Sequence, residues 1–316
     1  MRPLPAAFAE YRWAPSSETI AAEVGLDPSA IKRFDGNVPA VPSPAARPAA
    51  IASALAKVNE YAHGGFPALV SAIAEYAGVE PESVVLGAGA DDLILLCART
   101  FAGPGDIVSI DVDPTYPLFR IASQLAGAEV GEDRPVVTFT CRPNNPTGSL
   151  GPLSSARPLV VDEAYFEYAG ETALGLIEDG VVVLRTFSKA FGLAGARVGY
   201  ALADTATAAE LNRRQSPQPI SGISAALALA ALAGGPDVSE QVEERDRCAA
   251  VLAEIGLEPL PSRANFLFVP FEHPERLGAE LLRKGLVVRV FPDGIRFSIR
   301  DRADDDCLLE ALAALS

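Results

Sequence analysis

The sequence predicts an α/β protein. It has a large region with a mostly parallel sheet flanked by helices, followed by a smaller α+β region. Three observations carry that reading. Short, near-continuous apolar runs alternate with helical segments from residue 84 to residue 184, the pattern of strands buried on both faces. The rhythm changes after residue 236, where a long helix gives way to further strands. At 316 residues the chain is long enough for about two domains of roughly 150 residues each. The expected division is 40–235 for the large domain, and 1–39 with 236–316 for the small one.

Taken in order, Ser16, Ser17 and Glu18 read as the capped start of a helix that Gly25 stops. A proline-rich stretch over 37–48 must run extended across the surface. Helices follow at 48–58 and 66–77, the second ended by Gly78. The alternation then gives strands at 84–86, 106–110, 135–140, 159–161 and 181–184, with helices at 91–101 and 116–126. Beyond it, a helix over 238–255 ends at Gly256, and strands are expected at 264–269, 286–291 and 295–299 with a helix between the first two. The acidic run of Asp304, Asp305 and Asp306 reads as a solvated helix start matched to the helix dipole.

Composition removes several classes of function. Lys plus Arg number 26 and Asp plus Glu 41, so the net charge is −15 and a nucleic-acid partner is disfavoured. Cys97, Cys141, Cys248 and Cys307 are scattered with no C-x-x-C pair, against both a zinc site and a disulfide framework. With only His63 and His273, a histidine metal site or Ser-His-Asp triad lacks material. The first ten residues lack a signal-peptide core, and the most apolar run, 225–233, is too short to span a bilayer. A cytoplasmic protein with no membrane partner is expected.

In a parallel sheet, ligands sit beyond the carboxyl ends of the strands, so the segments just after each strand matter most. After residue 86 comes Gly87-Ala88-Gly89-Ala90-Asp91-Asp92. Asp92 stands where a dinucleotide fingerprint needs its third glycine, leaving a small-residue turn whose N–H groups could hold one phosphate. After 110 comes Tyr116, able to stack on a flat ring or to begin a helix as a core aromatic. After 140 comes Arg142-Pro143-Asn144-Asn145-Pro146-Thr147-Gly148, a tight turn that also aims an amide. After 161 comes Asp162, either a helix cap or a buried carboxylate facing a cationic ring nitrogen, with the phenol of Tyr165 close by. The sharpest signal follows 184. Lys189 lies between Phe187 and Phe191 in a small, apolar loop, and desolvation there favours the neutral amine a Schiff base requires. Ser188 and Arg197 add a hydroxyl and a fixed cation suited to a phosphate.

These motifs resemble those of the fold-type I pyridoxal-phosphate aminotransferases, and within them the histidinol-phosphate aminotransferase group. The resemblance rests on PNNPTG at 143–148, VDEAY at 161–165 and TFSKAFGLAGARVGY at 186–200, in the family's order. GAGADD at 87–92, PTY at 114–116, and the segments around Asn265 and Arg296 match more weakly. It implies pyridoxal 5′-phosphate as cofactor, with Lys189 bonding it covalently and moving the proton at substrate Cα. Asp162 would pair with the ring nitrogen, and Asn145 and Tyr165 with the ring oxygen. Tyr116 would stack on the ring. Ala90 and Asp91 (through backbone N–H), Ser188 and Arg197 would hold the phosphate, joined by Tyr61 across a homodimer interface. Arg296 would clamp the substrate carboxylate or its equivalent end beside Asn265, and Arg289 would meet a distal phosphate.

Two departures accompany the resemblance. The chain is short between 128 and 134 and between 149 and 158, where the family has fuller crossovers. The N-terminal substrate loop, with Asn37 its candidate contact, lacks the family's usual N-E-N-P pattern. The expected activity is transamination of amino and keto acids, with a histidinol-phosphate-like or aromatic substrate. A decarboxylase or lyase of the same fold, resembling threonine-phosphate decarboxylases, is the alternative.

Overall fold

The computed structural model describes residues 4, 5, 7–10, 14–62 and 64–315; His63 falls outside them. Helix α1 (Ser17–Val24) begins where the Ser16 hydroxyl accepts the Thr19 N–H and ends at Gly25 in the left-handed region. A short strand β1 (Lys32–Arg33), α2 (Pro48–Leu55) and α3 (Pro67–Ala77) lead into the large sheet. Its strands are β2 (Val84–Gly87), β3 (Ile107–Ile110), β4 (Glu129–Val130), β5 (Val137–Cys141), β6 (Leu159–Asp162), β7 (Val181–Thr186) and β8 (Gly199–Leu202). Helices α4 (Ala90–Phe101), α5 (Leu118–Ala126) and α6 (Phe166–Ala169) lie between them, and α7 (Thr205–Arg214), α8 (Gly222–Gly234) and α9 (Ser239–Glu254) follow. The chain closes with β9 (Phe266–Pro270), α10 (Pro274–Arg283), β10 (Leu286–Val287), β11 (Arg289–Phe291), β12 (Gly294–Ser298) and α11 (Arg302–Ala313).

The seven-stranded sheet has the order β2-β8-β7-β6-β5-β3-β4. Every pairing from β7 to β4 is parallel, and β8 runs antiparallel to both of its neighbours. The mostly parallel α/β architecture expected from the apolar runs is therefore present. Alternation along β6 sends Leu159 and Val161 to one face and Val160 to the other. One face packs with Phe119 of α5, Leu93 and Cys97 of α4, and Leu211 of α7. The other packs with Leu69 and Ile73 of α3 and the buried alanines Ala225, Ala228 and Ala231 of α8. The apolar run at 225–233 thus covers a sheet face, and among the described residues no single helix is long and apolar enough to cross a membrane.

The second sheet has the order β11-β12-β9, antiparallel throughout, and its core gathers Phe34, Leu252, Leu281, Phe297 and Leu308. The strand expected over 286–291 is two strands. β10 leaves this sheet to pair in parallel with β1, while β11 stays in it. Expected shortness of the crossovers is visible as well: no helix intervenes between β5 and β6, and only β4 lies between α5 and β5.

The acidic run needs correction. Asp301, not the run, caps α11 by accepting the Asp304 N–H. Asp305 is fully buried, accepts the Arg300 N–H, and has its pKa pushed up to about 7 by burial. Asp304 pairs with Lys32 and Arg300, and Asp306 with Arg247. Arg300 is only four residues from Asp304, but Lys32 and Arg247 come from distant segments, so spacing along the chain did not reveal them.

Glu163 and Arg185 form an ion pair in the interior, at 1% and 2% exposure. The Glu163 carboxylate also accepts the Thr172 hydroxyl and the Ala173 N–H, and Arg185 lies over the Phe166 ring. Glu163→Ala would leave a buried guanidinium uncompensated. It is expected to cost about 3–5 kcal/mol of stability, read as a lower urea midpoint at unchanged slope.

Candidate functional site

Strands β3, β5, β6 and β7 share one direction, so their carboxyl ends open onto the same edge of the sheet. A cleft of about 540 Å³ lies there, closed on its far side by the small sheet and by residues 33–38.

Two loaded side chains enter it from neighbouring strands. Asp162 ends β6, level with Cys141 of β5 and Leu184 of β7, and is 3% exposed. Its Oδ1 accepts the Ala164 N–H, and burial raises its pKa to about 7. A carboxyl in that state has an unmet demand for a cation. Three residues past the end of β7 stands Lys189, backed by Phe187 and Phe191 at 4.8 Å between ring centroids. Its Nζ donates to the Gly36 carbonyl at 3.2 Å and lies 5.7 Å from the centre of the Tyr165 ring. Although the amine still meets the open cleft, the surrounding protein lowers its pKa to about 8. Burial is the main cause, the Arg296 cation adds to it, and Asp91 and Asp162 oppose it.

The start of α4 forms one end of the cleft. Gly89 has φ +90° and no side chain caps the helix, leaving its first N–H groups open to an anion. Gly199 of β8 is packed against this turn: a Cβ there would stand 2.7 Å from the Gly89 carbonyl carbon and 2.9 Å from the Ala90 nitrogen. Arg197 donates to Ser188 Oγ at 3.4 Å and pairs with Asp91 at 3.2 Å, and Asp91 also accepts the Tyr116 hydroxyl at 2.8 Å.

At the other end is Arg296, 6% exposed. It donates to Asn145 Oδ1 and, at 2.8 Å, to the Asp35 carbonyl, while its buried Nε has no partner. The two asparagines of the 143–148 turn divide their work. Asn144 is buried and ties the turn to Thr115 and the Pro114 carbonyl; Asn145 faces the cleft.

The structure brings Asn37, Ala90, Asp91, Tyr116, Asn145, Asp162, Tyr165, Ser188, Lys189, Arg197, Arg289 and Arg296 to this one cleft. Asn265 does not line it; its amide sits behind, donating to the Asn37 carbonyl at 3.1 Å. Tyr61, 79% exposed, also lies outside it. Asp35, at the start of the N-terminal substrate loop, also lines the cleft, together with Arg33, Arg300 and Phe291, to which sequence reasoning gave no role. Arg33 is paired with Asp35 and Arg300 with Asp304, so most of this added charge is already neutralised. Cys141 is buried with its S–H toward the Pro143 carbonyl, and it borders the cleft.

The sequence matches the family Aminotransferase class I and II over residues 31–134 and 130–312. Histidinol-phosphate aminotransferase of Thermoanaerobacter pseudethanolicus is 33% identical, over 82% of this chain and 85% of its own. Aromatic amino acid aminotransferase of Rhodococcus jostii is 33% identical over 89% of both chains. Among solved structures, histidinol-phosphate aminotransferase from Sinorhizobium meliloti in complex with pyridoxal-5′-phosphate superposes with a TM-score of 0.81 at 26% identity. That match covers 98% of this chain and 100% of the other. The chain belongs to the class I and II aminotransferases, a family of fold-type I enzymes that use pyridoxal 5′-phosphate.

A lysine of pKa about 8 is mostly ammonium, and unreactive, below that pH, and mostly free amine above it. Attachment of pyridoxal phosphate to Lys189 in cofactor-free protein, trapped by borohydride reduction of the imine, is therefore expected to rise with pH around a midpoint near 8, not near the usual 10.5. Peptide mass mapping checks the site and a pH series of initial rates checks the midpoint.

Proposed function

We propose that this chain binds pyridoxal 5′-phosphate in the cleft and transfers an amino group between an amino donor and a keto acid, one of them histidinol-phosphate-like or aromatic. The observation that carries the reading is the pair of opposed groups at adjacent strand ends. Lys189 is depressed toward its neutral amine, and Asp162 is a buried carboxyl lacking a cation. The residues fit the cofactor. The uncapped start of α4, with the N–H groups of Ala90 and Asp91, the Ser188 hydroxyl and Arg197, suits its phosphate. Asp162 suits a protonated pyridine nitrogen, Asn145 and Tyr165 the ring oxygen, and Tyr116 the ring face.

When bound, pyridoxal phosphate accepts the electron pair left at the substrate Cα. The chain supplies the rest. As a free amine, Lys189 would hold the cofactor covalently and would move the proton at the substrate Cα. Asp162 would hold the proton on the ring nitrogen, and its burial would strengthen that pairing. Arg296, with an N–H to spare, would grip the substrate carboxylate or its equivalent end, with Asn265 behind the wall rather than in contact. Arg289, exposed at the mouth, meets a distal anion, with Asn37 on the near wall.

A homodimer belongs to the same reading. Helix α2 buries none of its residues within the chain, and Val41, Leu55, Val58 and Tyr61 are exposed nearby. A second copy would cover them and bring Tyr61 to the partner's phosphate site. In the same reading, residues 40–235 form one domain and residues 1–39 with 236–316 the other, with the cleft between them.

Absorbance titration of cofactor-loaded protein tests the activity. Conversion of the bound cofactor to its amine form by L-histidinol phosphate, or by phenylalanine, supports transamination and selects the substrate. Release of carbon dioxide without keto product would assign the chain to decarboxylation instead. Arg296→Ala is expected to lower kcat/KM about a hundredfold or more with the cofactor spectrum retained; undiminished turnover contradicts the carboxylate role.

A further inference from the structure

Tyr165 is buried and fixed from two directions. Its ring meets Phe266 of β9 edge-on, 5.1 Å between centroids. Its hydroxyl oxygen lies 3.0 Å from Nδ2 of Asn37, 128 residues earlier in the chain. A phenol has one proton to give and lone pairs to receive others, whereas the amide nitrogen can only donate. The Tyr165 oxygen is therefore the acceptor in this bond, and its own proton is left for a partner on the cleft side.

Asn37 is held in place for this. It is 2% exposed and has φ +52°, a left-handed conformation uncommon for a residue with a side chain. Its N–H donates to Ser298 Oγ at 2.7 Å and its carbonyl accepts from Asn265 Nδ2 at 3.1 Å. Ser298, fully buried on β12, donates to the Phe34 carbonyl at 2.7 Å and lies 3.3 Å from Asn37 Oδ1. Thus the backbone on both sides of the Asn37 side chain is pinned, and the amide has little freedom to turn from the phenol. In the opposite wall, Ser298 is the register partner of Phe266, so one strand pair anchors both restraints on Tyr165.

We propose that Asn37 and Ser298 are positioning residues that turn the single hydroxyl proton of Tyr165 into the cleft, toward the ring oxygen of pyridoxal phosphate. The proposal rests on the cofactor reading above. It moves Asn37 from a substrate contact to a support for Tyr165. The physical effect is specific: a hydrogen bond to the ring oxygen favours its anionic form. It therefore lowers the pH at which the bound cofactor changes protonation state.

The test is a pH titration of the visible absorbance band of the loaded protein, together with the dissociation constant for pyridoxal phosphate. Variants are Tyr165→Phe, Asn37→Gly, the two combined, Ser298→Ala and Ser298→Thr. Glycine removes the Asn37 side chain while accepting the left-handed backbone, so the fold is not asked to bear a new strain. Tyr165→Phe is expected to raise the spectral midpoint by about one pH unit. Asn37→Gly and Ser298→Ala should raise it in the same direction, and Ser298→Thr, which keeps the hydroxyl, should restore it. The combined variant should shift no further than Tyr165→Phe alone, because Asn37 acts through the phenol. Shifts that add in the combined variant, or an Asn37→Gly midpoint equal to wild type, overturn the proposal while leaving the cofactor reading intact. Wild-type protein that takes up no pyridoxal phosphate overturns both.

Discussion

The rest of the site depends on the buried ion pair between Glu163 and Arg185. It joins the residue that follows Asp162 to the strand that leads into Lys189, and the Glu163 N–H donates to the Leu184 carbonyl across the same gap. Removing two charges from water is costly, and only full satisfaction of their hydrogen bonds makes the arrangement tolerable. Here Thr172 and the Ala173 N–H complete the set, while the Phe166 ring covers the guanidinium. The pair acts as a clamp. It fixes how two adjacent strand ends leave the sheet, so the carboxyl of Asp162 and the amine of Lys189 meet in one cleft.

Burial then acts on both groups in opposite senses. It disfavours charge wherever it occurs, raising the carboxyl of Asp162 to about 7 and lowering the amine of Lys189 to about 8. The two groups sit close to the point where a small change in surroundings changes their protonation. Both shifts have burial at the strand ends as their main cause and need no special device. Anions are treated differently. The chain carries a charge of −15, so its overall field repels them, and the donors that could offset this are local: the uncapped start of α4 and the buried Arg296.

Much of this was legible along the chain. The apolar runs gave away the parallel strands because a strand covered on both faces has no polar positions to interrupt it. The segments after those strands carried Asp162, Lys189 and Asn145, and the cleft does form at that edge. What escaped notice has physical reasons. β8 lies within the 186–200 motif and its continuation, and its direction is decided by where the chain turns back rather than by its composition. β1 and β4 have two residues each, below the length at which periodicity exists. The break between β10 and β11 depends on pairing with β1, some 250 residues away.

By itself, the sequence determined the layered α/β architecture, the edge of the sheet at which the cleft forms, and the lysine and the buried acid that line it, Lys189 and Asp162. These follow from local hydrophobicity and from residue types whose neighbours are adjacent in the chain. Tertiary structure alone decided which polar groups answer which. Asp305 reads as a solvated helix start but is buried beside Arg300, and Arg33 and Arg300 border the cleft with their charges already met. The Asn37 amide meets Tyr165, and its backbone is bonded by Ser298 of β12 and by Asn265 just before β9. A hydrogen bond depends on distance and angle within a few tenths of an ångström, and across more than a hundred residues of chain only the packed fold sets those.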